Sequence, residues 1–530
     1  MHLNFPAMSK TLRRLLTATL ITAPLCAVLL FVTARRFAAK FEPEVRAQAI
    51  RYLEQRFDAN VTLGSLDIRF PNMSRIALLL HRGKGIIARV EGRDLTLRYQ
   101  GRNDLPPLFT VGSFHFDLDL GVLQQPARHV AHVALDRMTI AVPPKTDRPQ
   151  FGNHRNGSGS NVVIDSLDIS NARLIVLPQG SDRKPLDFAL QDIRLQSAGS
   201  EERMSYQATL TNPRPPGLIR SYGMFGPWNR ESPGDTRLEG DYDFSNADLG
   251  VFDAIAGILH STGHFSGTLS AVRAKGQATV PDFRLKSSGN RVPLETQYDV
   301  IVDGTNGNTI LQPVRARLLN TSFQTSGGII KRELQGRRAI DLDVVMPKGH
   351  IEDLLLLALK GKPFMSGLIK MQARISIPPL TGKIIDTLFL NGTFDIARGE
   401  FHGGEVQDKV DELSRRGQGR PADQTVDNVF SHMQGAFLLG NQVMTFSRLD
   451  FGVPGADVGL HGEYRMAADV LDFHGTLELR AKVSQTLQGW KHWLAKPLDP
   501  FFAKNGAGTF LKIQVVGSSK KPEFGKDHAQ

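Results

Sequence analysis

His260 and His264 stand four residues apart, the spacing at which a helix presents two imidazoles to one metal ion. Gly257, Gly263 and Gly267 crowd the same stretch and argue against a stable helix there. His129 and His132 stand three apart, with Asp136 four further on. That run continues into Met138-Thr139-Ile140-Ala141-Val142, which reads as a strand, so helical spacing does not apply. Both pairs therefore read as ordinary surface or groove histidines. Asp117 and Asp119 share one side of a strand by their spacing, and paired carboxylates can do acid–base work. They alternate with Phe114, Phe116, Leu118 and Leu120, which makes them the solvated side of a half-apolar strand. Asp341 and Asp343 repeat the arrangement between Ile340, Leu342 and Val344. A repeated structural role is more economical than two active sites.

No Gly-x-Ser-x-Gly, His-Glu-x-x-His or Gly-x4-Gly-Lys-Ser/Thr stretch occurs. Trp228, Trp490 and Trp493 are too dispersed for a carbohydrate platform or a base-stacking surface. The single cysteine, Cys26, leaves the chain without a disulfide framework, a zinc–cysteine site or an iron–sulfur cluster. The expectation is no enzyme, no cofactor and no metal. Against 53 acidic residues stand 64 Lys and Arg, a formal charge of +11 that is spread rather than gathered into a block. That pattern speaks against a nucleic-acid partner. It suits a surface near anionic lipid headgroups, or plain solubility.

The elements that position these residues are mostly strands. Leu66 and Ile68, Leu95 and Leu97, and Phe114 through Leu120 recur at every second position between polar partners. A short signature repeats: Ser65-Leu66-Asp67-Ile68, Asp94-Leu95-Thr96-Leu97, Ser166-Leu167-Asp168-Ile169 and Asp192-Ile193-Arg194-Leu195. Later segments continue the pattern through Tyr298, Ile340 and Leu471. Helical signal is sparse, with candidates at Phe41 to Asn60, His350 to Lys360, Val406 to Arg416 and Val483 to Trp493. The first is amphipathic and fits either a membrane surface or the end of a sheet. Pro143 to Asn161 and the Pro- and Gly-rich Asn212 to Asp235 read as loops or module seams. A chain of 530 residues predicts two or three modules, drawn at 41–210, 211–385 and 386–530.

Residues 15–34 run for 20 positions without a charge, flanked by Arg13, Arg14, Arg35 and Arg36. At about 1.5 Å per residue the run matches the roughly 30 Å hydrocarbon core of a bilayer. A cleavable signal has a shorter apolar run, and a lipoprotein signal needs a small residue where Leu25 precedes Cys26. An uncleaved single-pass anchor fits best, with residues 1–14 inside and the bulk of the chain outside.

An antiparallel sheet with one apolar face must bury it, and the helices are too few to do so. The sheet must fold on itself, meet a second sheet or leave an apolar groove able to hold acyl chains. Each buried methylene contributes about 0.8 kcal/mol. The lining candidates are Leu66, Ile68, Phe114, Phe116, Leu118, Leu120, Leu167, Ile169, Ile340, Leu342 and Val344.

Several motifs carry a family likeness. The order of anchor, amphipathic helix and Val61-Thr62-Leu63-Gly64-Ser65-Leu66 resembles the start of bacterial AsmA-like proteins. Gly226-Pro227-Trp228, Gly240-Asp241-Tyr242, Gly257-Ile258-Leu259 and Ser261-Thr262-Gly263-His264-Phe265-Ser266-Gly267 resemble motifs of larger members. So do Leu390-Asn391-Gly392-Thr393-Phe394-Asp395-Ile396 and the stretch from Val406 through Leu413-Ser414-Arg415-Arg416. Phe451-Gly452-Val453-Pro454-Gly455-Ala456 and Asn505-Gly506-Ala507-Gly508-Thr509 resemble the family's C-terminal domain. The resemblance implies a bacterial inner-membrane protein whose periplasmic bulk is a long curved sheet with an apolar concave face. It implies phospholipid movement or outer-membrane assembly, with acyl chains and other envelope proteins as partners. Roughly 25 strands at about 4.8 Å give on the order of 120 Å, and division into modules shortens that, pointing to a partial or partner-assisted conduit. The fold expected is mostly β: a transmembrane helix, then curved antiparallel sheet modules forming an apolar groove, with few short helices. The alternative function is a structural or chaperone-like envelope scaffold with a closed core.

Overall fold

Ala59, Val61 and Leu63, then Leu66 and Ile68, alternate with polar neighbours at the period that sorts side chains to two faces of a strand. The alternation already includes Ala59, which is why Ala59 and Asn60 open a strand and do not close the preceding helix as predicted. The computed structural model describes residues 59–69, 87–99, 102–119, 128–143, 162–177, 185–198 and 202–527, together with 46, 47, 50, 51, 53 and 54. Within 202–527 it leaves out 228, 230–231, 332–337, 380–383, 403, 424–427, 482–508 and 520. The anchor expected at 15–34, Leu120 and the helix expected at Val483 to Trp493 lie outside the described residues. The side chains of Leu118, Asp119 and His129 also lie outside them. Among the described residues no helix is long and apolar enough to cross a membrane.

The chain divides into two units, Met1–Glu201 and Glu202–Gln530. In the first, β1 (Ala59–Arg69), β2 (Ile87–Tyr99), β3 (Phe109–Asp119) and β4 (Arg128–Val142) form an antiparallel ladder. β5 (Val162–Val176) then pairs with β4 in parallel, and β6 (Leu186–Ala198) returns antiparallel to β5. The parallel pair corrects the all-antiparallel expectation, since a crossover is needed between β4 and β5 and residues 143–161 are long enough to make one. The preceding helical residues take up the outer edge of β1. Arg46 Nη2 donates to the carbonyls of Leu63 and Gly64, and the amide of Val61 donates to Glu54 Oε1 at 3.4 Å. Ile50 and Leu53 pack on the cluster of Val61, Leu63, Leu97 and Val111, so this helix lies across the end of a sheet.

The second unit begins with β7 (Met204–Pro213) and β8 (Pro216–Phe225), a hairpin with two residues between its strands. Half of the loop predicted for Asn212 to Asp235 is therefore strand. Pro213 and Pro216 sit at strand ends, where proline is tolerated, and the glycines face an inner surface that needs small residues. The ladder continues antiparallel through β9 (Arg237–Asp248), β11 (Ile258–Thr268), β12 (Ala271–Leu285), β13 (Val292–Val302), β14 (Thr309–Leu318) and β15 (Thr321–Lys331). The two-residue β10 (Ile255–Ala256) pairs beside the end of β12. Then follow β16 (Arg338–His350), β17 (Met365–Ile377), β18 (Phe389–Phe401), β19 (Ser431–Gly440) and β20 (Val443–Val453). β21 (Ala456–Arg465), β22 (Val470–Leu479), β23 (Thr509–Ser518) and β24 (Lys521–Lys526) complete it. Residue 385, placed above at a module seam, lies between β17 and β18, which pair along their lengths. Among the described residues β24 pairs with β23 alone, so this sheet does not close on itself.

β-Bulges interrupt many of these ladders and bend the strands. Gly327, at φ +139°, sits where a Cβ would lie 2.1 Å from the Asp341 carbonyl oxygen, so only glycine allows β15 to approach β16 there. The helices predicted at His350 to Lys360 and Val406 to Arg416 appear as Ile351–Ala358 and Gly404–Gly417. A single further turn, Ile384–Thr387, was not legible in the sequence.

Candidate functional site

Register places the apolar residues of successive strands side by side. In the first unit Leu66 faces Gly92, Gly92 faces Phe114, Phe114 faces Leu135, Leu135 faces Ile169 and Ile169 faces Ile193. One step along, Ile68, Val90, Phe116, Val133, Leu167 and Leu195 make a second row. Six of the predicted lining residues, Leu66, Ile68, Phe114, Phe116, Leu167 and Ile169, thus share two adjacent rows of one face. In the second unit Ile340, Leu342 and Val344 stand beside Ile377, Ile375 and Ala373 of β17. The row through Val344 continues over Ala373, Gly392, Phe437, Phe446, Gly462 and Phe473.

Followed from β7 to β23, this inner row set carries no Asp, Glu, Lys, Arg or His among the described residues. The two first-unit rows named above carry none either. Charges lie on the opposite face, in cross-strand pairs: Arg89 with Asp117 at 3.0 Å, Arg194 with Asp168 at 2.8 Å, and Arg374 with Asp343 at 2.8 Å. Hydrogen bonds from Arg89 and Arg374 lower the Asp117 and Asp343 carboxyls below their usual range. That of Asp299 is held down to about 2, chiefly by the hydrogen bond from Arg273, with Lys275 adding to it. Asp117, Asp341 and Asp343 are therefore solvated partners of basic or hydroxyl groups, Asp341 accepting from Ser376 Oγ at 2.6 Å. His260 and His264 lie on β11, where His264 Nδ1 meets Asp241 at 3.1 Å. His132 lies 3.9 Å from Asp168. Among the described residues no group of three His, Cys, Asp or Glu side chains is placed to hold a metal.

Covering of the inner face is uneven. One end of the strands is sealed: the helix Ile351–Ala358 packs on Met346, Met365, Ile369 and Ile396. The helix Gly404–Gly417 packs on Val453, Ala456 and Leu479. Asp411 fixes that helix by accepting from Gln407 Nε2 at 2.8 Å and from the amides of Asn428 and Val429 at 3.0 and 2.9 Å. Ser414, fully buried, donates to the Pro454 carbonyl at 2.9 Å. Away from this end the inner side chains are half-buried: Leu342, Ile375, Phe437, Phe446 and Leu449 are in this state, as are Leu167 and Ile169. Phe394 packs instead against the sealed cluster, and Phe114 and Phe116 against the first unit's core. Leu66 at 4% and Val344 at 9% are buried.

The two halves of the second unit's inner face differ in chemistry. From β16 to β22 it is mainly hydrocarbon, with Phe394, Phe437, Phe446 and Phe473 forming a chain of rings 5.8–6.5 Å apart and hydroxyls at Ser431 and Tyr464. From β7 to β13 it carries hydroxyls above a glycine floor. A Cβ on Gly240 would meet Tyr206 Oη at 2.6 Å, and one on Gly276 would meet Tyr298 Oη at 2.4 Å, so both rings lie flat across neighbouring strands. Tyr206 Oη reaches Ser221 Oγ at 3.0 Å, and Tyr298 Oη reaches Ser261 Oγ at 2.8 Å and also bonds Tyr242 Oη. Burial raises the pKa of both Tyr206 and Tyr298 above the usual phenol range, so the hydroxyls stay neutral. Sequence reasoning missed this group because tyrosine counts as apolar in the alternation. The usable signal was Tyr242 and Ser261 each two residues from a glycine in register.

The chain matches no family model, no curated protein and no solved structure.

Proposed function

We propose that the protein shelters lipid acyl chains on its uncharged sheet faces, without catalysing a reaction. It thereby handles phospholipid or assists assembly of an outer membrane. In this reading residues 15–34 anchor it in a bacterial inner membrane and the β-rich bulk is periplasmic, as the AsmA-like resemblance implies. The observation that carries the reading is a second-unit inner face without a charge among the described residues, left only half-buried beyond its helix-capped end. A soluble sheet face in steady contact with water gains nothing from such composition, whereas contact with hydrocarbon recovers about 25 cal/mol for each Å² covered. The alternative, an envelope scaffold with a closed core, draws support from the sealed ends around Ile369 and Leu479 alone.

Native mass spectrometry of the full chain, purified without added lipid, tests the proposal together with transfer of a labelled phospholipid between vesicles. Bound lipid and accelerated transfer are expected. An empty protein that leaves transfer at its spontaneous rate refutes it.

A further inference from the structure

The hydroxyls of the second unit lie against backbone carbonyls of neighbouring strands. Ser221 Oγ donates to the Asp241 carbonyl at 2.9 Å, and Ser261 Oγ donates to the Gln277 carbonyl at 3.1 Å. A carbonyl only accepts, and serving both carbonyls directs each serine proton to its neighbouring strand. Ser221 Oγ is then left to accept from Tyr206, and Ser261 Oγ from Tyr298. Tyr298 Oη, which also reaches the Thr262 carbonyl at 3.4 Å, in turn accepts from Tyr242. Two chains result, Tyr206 to Ser221 to carbonyl, and Tyr242 to Tyr298 to Ser261 to carbonyl. Both spend every proton inward and end in a tyrosine oxygen with free lone pairs. Ser221 stands directly opposite Tyr242 in the β8–β9 register, so the two chains start on adjacent strands of one face. Tyr206 and Tyr242 are both half-exposed on the inner face.

We infer that Tyr206 and Tyr242 form an acceptor-only station that selects, among lipids held on this face, those bearing an uncharged hydroxyl next to their chains. The inference rests on the lipid-handling reading and adds the chemistry of the polar end. Among the described residues of the inner face a phosphate finds neither a spare donor nor a cation and would lie unpaired there. An ammonium meets acceptors but no counter-charge. A neutral hydroxyl donates to a tyrosine oxygen and loses nothing. The chains then run toward β16–β22, where the face is mainly hydrocarbon.

The probes are a diacylglycerol with a free hydroxyl, its O-methyl ether, and a phosphatidic acid of the same chains, titrated against the full chain. The expected order is diacylglycerol tightest, by about fivefold over the ether, as one neutral hydrogen bond supplies. The double variant Tyr206→Phe with Tyr242→Phe should bring diacylglycerol down to the ether's affinity and leave the ether unchanged. Circular dichroism and thermal melting confirm that the variant is folded. Equal binding of diacylglycerol and ether by the unaltered protein, or a preference that survives the double substitution, overturns the station. A tighter phosphatidic acid overturns it too. Binding of none of the three probes instead refutes the lipid-handling reading, and the two failures are distinct.

Discussion

Replacing Leu342 with Glu sets a carboxylate in the middle of the inner face, between Gly327 of β15 and Ile375 of β17. Leu342 is half-exposed, so in the empty protein the new charge still reaches water. The loss to folding is then only part of a leucine's burial, about 1 kcal/mol. A hydrocarbon chain laid over the site seals the charge instead, and an unpaired buried carboxylate costs several kcal/mol. Taken as about 4 kcal/mol, this cancels about five buried methylenes and weakens acyl binding about a thousandfold. Ile369→Glu provides the contrast. Ile369 is 3% exposed beneath the helix Ile351–Ala358, so its carboxylate is sealed before any ligand arrives and the penalty falls on folding. Differential scanning calorimetry and titration with a fluorescent acyl probe separate the two. Leu342→Glu should melt within a few degrees of the unaltered protein and lose the probe. Ile369→Glu should melt far lower. A Leu342→Glu protein that unfolds like Ile369→Glu, or that binds the probe undiminished, refutes the open-face reasoning.

Asp411→Ala strands the amides of Asn428 and Val429 and removes one of the acceptors of Gln407 Nε2. Urea denaturation should show a loss of about 3 kcal/mol or more, and a loss under 1 kcal/mol contradicts the helix anchor. Gly327→Ala forces a Cβ against the Asp341 carbonyl and should cost about 3 kcal/mol, whereas at Gly328 the nearest atom is the flexible tip of Ile330 and the same change should be mild. Equal effects at the two positions would contradict the close approach of β15 and β16. His474 binds Asp527 at 3.0 Å through Nδ1 and Asp472 at 3.1 Å through Nε2, and these carboxylates raise its pKa above the ordinary value, Asp527 foremost. A raised folded-state pKa stabilises below about pH 6.5 and ceases to do so as pH climbs through the raised value. Hydrogen exchange of β24, measured against His474→Gln at each pH, should show extra protection at pH 6 that disappears toward pH 8. A difference independent of pH contradicts the link.

How far the sequence revealed this molecule follows from what a strand pattern encodes. Period two assigns each side chain to a face, which is why Leu66, Phe114 and Ile169, far apart in sequence, meet in one row. The pattern has no arrow, so the parallel β4–β5 pair reads like an antiparallel one, and only the length of residues 143–161 hinted at a crossover. Composition misled at Asn212 to Asp235, where Gly217 and Gly223 are floor positions of strands and not turn residues. The short helices announced themselves through apolar runs such as Leu354 to Leu357. The tyrosine–serine chains were invisible, because each bond joins different strands and depends on registers that no single segment specifies.

The central claim is that hydrocarbon lies on the uncharged faces and not on their charged reverse. A photo-crosslinking side chain placed singly at Leu342 or Phe437, and at the outward Asp343 or Leu438, tests it in the cell that makes the protein. After irradiation, lipid adducts identified by mass spectrometry should appear at Leu342 and Phe437 and be absent at Asp343 and Leu438. Adducts equal on both faces, or absent from the inner one, contradict the account.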